Sequence, residues 1–194
     1  VAFSDLRKPT AISLFKPAFR SIDNFLNNEG KIVREERLLT SLTKIDRPHP
    51  ARGALFFILT LGQPYQRFIE SDRFYPLWSN STNALNQAER VISQLVKKLE
   101  EIQRPVPQDH LLVSFKEIGA DLPKRALFSY LDATKEINQN NFGHFGLTKW
   151  PEINPRGAKD KAYIVLKQVQ QPLHFQEVTK LINQIGLGST PAQP

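Results

Sequence analysis

Residues 54–78 read ALFFILTLGQPYQRFIESDRFYPLW, and residues 126–150 read ALFSYLDATKEINQNNFGHFGLTKW. Each stretch opens Ala-Leu-Phe and closes on one of the two tryptophans in the chain, with both ends displaced by the same 72 residues. The echo continues upstream. Leu26, Val33 and Leu38-Leu39 match Leu99, Val106 and Leu111-Leu112 at a displacement of 73, and Leu166, Leu173 and Ile182 match Leu99, Val106 and Phe115 at 67. Self-similarity at a near-constant period marks one supersecondary unit used repeatedly along a chain.

The unit can be read from its residues. It opens with an amphipathic helix, expected over 17–28, 86–102 and 159–169. In the second of these, Ala88, Val91, Ile92, Leu95, Val96 and Leu99 recur at three- and four-residue spacings, with Lys and Glu between them. A short apolar tether follows, Lys31-Ile32-Val33, Pro105-Val106-Pro107 or Pro172-Leu173-His174, suited to a brief edge strand. A second helix comes next (34–42, 108–118, 175–185), with Glu35, Glu36, Asp109 and Glu177 near its starts, where the helix dipole favours acids. A third helix opens near Pro50 and near Pro123, proline being suited to a first helical turn. Alternating residues then give a β-hairpin, Tyr65 to Trp78 in one copy and Glu136 to Leu147 in the next.

This order predicts a mainly α fold with small β-hairpins (α+β), built as tandem winged-helix (helix-turn-helix) repeats. The expected units are 1–80, 81–150 and 151–194, the last holding only the first part of a third copy. With no methionine, even at position 1, the chain is expected to be a fragment.

Composition limits the function classes. The 194 residues are 40% hydrophobic and 23% charged, which suits a soluble globular protein. Cysteine is absent, which excludes disulfides and thiolate-held metal centres. No apolar run is long enough to span a bilayer and no signal peptide is visible, so a cytoplasmic protein with no membrane partner is expected. The net charge of +7 favours an anionic partner, nucleic acid first.

Residues 150–182, WPEINPRGAKDKAYIVLKQVQQPLHFQEVTKLI, resemble the start of the HARE-HTH domain, a winged-helix module. The likeness rests on a helix leading into Pro172-Leu173-His174-Phe175-Gln176-Glu177-Val178. The longer segment, with Trp150-Pro151-Glu152-Ile153-Asn154-Pro155-Arg156-Gly157, resembles bacterial sigma-factor-like transcription proteins. The resemblance covers about the last quarter of the chain and implies a DNA-binding, transcription-associated role. No sigma-type promoter-reading motif is present.

No phosphate-cradling glycine loop, nucleophile elbow or His-Glu-x-x-His motif occurs. His49, His110, His144 and His174 do not stand at ligand spacing, and His174 is expected to cap a helix. An enzyme is therefore not expected, nor a cofactor, a metal site or a small-molecule substrate. Glu70 and Asp72 read as a solvated turn.

The candidate contacts to double-stranded DNA are Lys124 and Arg125 at the start of a third helix, with Lys135 and Lys149 flanking the following hairpin. In the first copy they are Arg47, His49 and Arg52, with Arg67 and Arg73 on the hairpin; Arg156, Lys159 and Lys161 open the third. The plain alternative for each is a solvated face. One feature opposes groove reading. Residues 54–59 are apolar nearly all round, whereas a groove-entering helix needs a polar outer face. Phe56 or Phe57 is therefore expected to contact a neighbouring unit or another protein. That makes the first copy better suited to protein contact, with RNA polymerase or another subunit as partner, and the second better suited to DNA.

Overall fold

The computed structural model describes residues 9–45, 52–61, 65–118 and 122–187. Arg47 and His49 lie outside the described residues. The architecture is α+β, with small three-stranded antiparallel sheets between helices. The first series of elements is α1 (Pro9–Asn28), β1 (Ile32–Arg34), α2 (Glu35–Ile45), α3 (Arg52–Leu61), β2 (Gln66–Phe68) and β3 (Leu77–Ser79). The second is α4 (Ala84–Ile102), β4 (Val106–Pro107), α5 (Gln108–Ile118), α6 (Lys124–Ala133), β5 (Ile137–Gln139) and β6 (His144–Leu147). The same order of elements thus occurs twice, followed by α7 (Ala158–Val169) and α8 (Phe175–Gln184).

Both sheets place the strand from between the first two helices against the last strand of the hairpin, in the orders β1-β3-β2 and β4-β6-β5. Val33 pairs with Trp78 and Val106 with Phe145. The repeat also shows in the backbone. Gly30, Gln103 and Gln170, each four residues beyond the matched leucines Leu26, Leu99 and Leu166, all have positive φ. A left-handed residue follows the first helix of every copy, joined in the first copy by Lys31 at φ +69°, and turns the chain into its tether.

The two tryptophans are not structural equivalents. Trp78 faces Val33 and Arg67 across its neighbours, and the residue so placed in the second sheet is Phe145, opposite Val106 and Gln139. The second hairpin is five residues shorter, since 67 to 78 spans eleven positions and 139 to 145 spans six. Trp150 instead follows β6 and packs with Ile153 over Gly146, where an added Cβ would come within 2.8 Å of both side chains.

By packing, the chain forms two compact units: residues 1–95 with 112–135, and residues 96–111 with 136–194. The core of the first joins Ile22 and Leu26 of α1, Leu38, Leu39 and Leu42 of α2, Leu55, Ile58 and Leu59 of α3, and Trp78. These are the helical-period positions of three helices, closed by an indole. Glu35, in the first turn of α2, accepts from the Trp78 Nε1 at 2.9 Å and from Arg67 Nε and Nη2 at 2.6 and 3.0 Å. One carboxylate therefore ties α2 to both strands of the hairpin.

The same unit contains α6, which lies on β1. Ser129 donates its hydroxyl to the Ile32 carbonyl, and Tyr130 donates to the Gly30 carbonyl at 3.3 Å. Beyond α6, the Tyr75 N–H donates to the Ala133 carbonyl at 2.9 Å and the Lys135 N–H to the Arg73 carbonyl at 2.8 Å. This pairing uses the five extra residues of the first hairpin, which carry Arg73 and Tyr75 out to the end of α6.

In the second unit, β4, β5 and β6 form the sheet and α7 packs against α8. Its buried apolar residues include Leu99, Val106, Ile137, Phe145, Leu147, Ile153, Ile164 and Val165. The β5–β6 turn is closed by Asn140, whose Oδ1 accepts from the N–H groups of Phe142 and His144, both at 3.0 Å. His174 caps α8: its Nδ1 accepts from the Gln176 N–H at 3.4 Å, while Glu177 accepts from the His174 N–H at 3.2 Å.

Candidate nucleic-acid interface

The third helix of the second series, α6, carries two of the expected DNA contacts, and its burial decides what they can do. Ala126, Leu127, Ser129, Tyr130, Leu131 and Ala133 are buried, leaving Lys124 and Arg125 exposed at the first turn. Packing on β1 takes the face that a groove-reading helix would present. The remaining chemistry is that of a helix end. Pro123, the N-cap residue of α6, makes no side-chain cap hydrogen bond, and the Ala126 N–H donates to its carbonyl at 2.8 Å, so Lys124 and Arg125 stand at the positive end of the helix dipole. Two cations at that end oppose the dipole, and an anion there satisfies both.

A third cation joins them. Gly30, at φ +78°, lies close enough to α6 that a Cβ on it would stand 3.0 Å from the Ala126 Cα. Lys31 and Arg125 are each one residue from that contact, which places their Cα atoms about 12 Å apart at most. Lys31 is exposed. No sequence signal singled it out, because its neighbourhood with Arg125 depends on a contact across 96 positions.

The other predicted cations are differently engaged. Arg67 is held by Glu35, and that hydrogen bond is the main cause raising its pKa. Lys135 donates to Glu70 at 2.6 Å and to the Ser71 carbonyl at 2.8 Å, and lies 5.3 Å from the Tyr75 ring. Arg73 donates to Ser93 at 2.8 Å. In the second unit Lys149 meets Glu100 at 2.9 Å. These four are structural or shared, while Lys31, Lys124 and Arg125 are exposed. Arg52 opens α3, but its side chain is outside the described residues.

The second unit holds a comparable helix end. Gly157 precedes α7 without a side-chain cap, Arg156 and Lys159 are exposed, and Lys161 is half-buried. Asp160 turns back to accept from the Arg156 N–H at 3.0 Å.

The apolar helix α3 divides its two phenylalanines. Phe56 turns inward, edge-on to Trp78 at 5.9 Å between ring centres. Phe57 turns outward and is 39% exposed, between exposed Ala54 and Thr60 on one face. Among the described residues no group of three His, Asp or Glu could hold a metal ion, and no helix is long and apolar enough to cross a membrane. Set against family models, curated proteins and solved structures, the chain matches none.

Proposed function

We propose that this chain is a DNA-binding, transcription-associated protein of the sigma-factor-like class, built from tandem winged-helix units whose last copy is HARE-HTH-like. It holds duplex DNA through the phosphate backbone, with little reading of base edges. The observation that carries this is the helix-strand-helix-helix-hairpin order occurring twice with equivalent sheet orders. The exposed Lys31, Lys124 and Arg125, near the start of α6, support backbone contact. The burial of α6 argues against base readout, because the side chains that would enter the groove are committed to β1. The test is duplex binding as a function of salt, with and without charge reversal at Lys124 and Arg125.

A second reading is favoured by Phe57. Winged helices also serve as docking modules, and the row of Ala54, Phe57 and Thr60 gives α3 an outer face suited to a protein partner such as RNA polymerase or another subunit. Replacing Phe57 by Lys would remove a protein contact while leaving duplex affinity in place.

A further inference from the structure

The first hairpin is longer than the second, and its extra residues form an arm that reaches the end of α6. Phe74 is buried there and bridges to Thr134. The Tyr75 N–H donates to the Ala133 carbonyl at 2.9 Å, and the Arg73 carbonyl accepts from the Lys135 N–H at 2.8 Å and the Thr134 hydroxyl at 3.1 Å. A tight turn closes the arm. The Ser71 N–H donates to the Phe74 carbonyl at 2.9 Å, and the Phe74 N–H to the Ser71 hydroxyl at 3.0 Å. Glu70, next to that turn, is thereby presented to the end of α6, where its carboxylate lies 2.6 Å from the Lys135 ammonium. The Ser71 carbonyl at 2.8 Å and the Tyr75 ring at 5.3 Å also position the ammonium, and neither neutralises it.

A carboxylate oxygen on a lysine ammonium takes the place that a phosphate oxygen would fill. We infer that Glu70 is an autoinhibitory counter-ion, which withholds Lys135 from the phosphate backbone of a duplex. With α6 about 15 Å long, Lys135 beyond its end and Lys124 and Arg125 at its start fall within one duplex turn of about 34 Å. Removing the Glu70 charge therefore adds one phosphate contact to the same bound duplex. The Glu70 side chain is 58% exposed, and an exposed ion pair contributes little to folding, so the charge can be removed without loss of the fold. This inference rests on the nucleic-acid reading above.

The test compares Glu70→Gln, Asp72→Asn and Lys135→Gln in the full chain, by duplex affinity over a range of salt. Asp72 is exposed on the same arm, so Asp72→Asn makes the same change in net charge and leaves the Glu70–Lys135 pair in place. Glu70→Gln should tighten binding about threefold at low salt and steepen log K against log salt by about 1. Asp72→Asn should leave the slope unchanged. With Lys135→Gln already present, Glu70→Gln should add no slope, as a double-mutant cycle requires of a direct pair. Equal effects of Glu70→Gln and Asp72→Asn, or a gain that survives Lys135→Gln, would overturn the inference while duplex binding stands. Absence of duplex binding by every form would overturn the nucleic-acid reading and the inference with it. Acylation of the lysines without DNA, read by mass spectrometry, separates the two. Lys135 should react about threefold faster in Glu70→Gln than in the parent chain, and equal rates would overturn the inference alone.

Discussion

Gly30 and Ala126, 96 positions apart, touch so closely that a Cβ on Gly30 would stand 3.0 Å from the Ala126 Cα. The contact seats α6 on β1, and it accounts for glycine at Gly30 where the other copies carry Gln103 and Gln170 in the same left-handed turn. Gly30→Ala would combine a left-handed alanine with steric overlap against a helix. It should lower stability by roughly 3 kcal/mol in urea titration. Gln103→Ala should stay within about 0.5 kcal/mol. Equal effects of the two substitutions would remove the close approach as the reason for glycine.

Burial pushes the Tyr130 hydroxyl up to about 12. Its folded pKa therefore exceeds its unfolded value near 10. The stability linked to the neutral phenol is fully present below about pH 10 and lost as pH rises through 12, at about 1.4 kcal/mol per pH unit for one proton. Tyr65 shifts in the same direction, first through burial and then through its hydrogen bond to Asp23. Tyr130→Phe should cost about 1 kcal/mol at neutral pH and flatten the alkaline fall by one proton's worth. Thermal melts between pH 9 and 12 check this, and a slope unchanged by the substitution would contradict it.

Arg67 bridges to Glu35 and is 39% exposed, so solvent screens much of the interaction. Arg67→Ala should cost about 1 kcal/mol of stability and leave duplex affinity within twofold. A large loss of affinity with unchanged stability would mean that Arg67 leaves Glu35 for a phosphate.

Much of the fold is legible in the sequence because it is local. The three- and four-residue spacing of Ala88, Val91, Ile92, Leu95 and Leu99 marks α4, and all five are buried. The matched leucines place the left-handed turn of every copy. The tryptophan echo is less informative than it looks. Trp78 closes a core, whereas Trp150 covers Gly146, and their equal spacing hides a shorter hairpin balanced by residues beyond β6.

The seating of α6 was hidden because it depends on distant residues. A trace exists in Ala126, Ser129 and Ala133, small residues on one helix face where the first copy places Phe57 opposite Ser129. Small residues on one face allow another backbone to approach, as β1 does here. Ser129, one of the residues that make the second copy more polar than the first, is fully buried against β1.

The most direct test of backbone-held DNA binding is a salt titration of duplex affinity. With Lys31, Lys124 and Arg125 as the phosphate contacts, log K against log salt should fall with a slope of about −3, and the double variant Lys124→Glu, Arg125→Glu should flatten it by about 2. Absence of duplex binding even at low ionic strength, or a slope unmoved by the double reversal, would contradict the proposal.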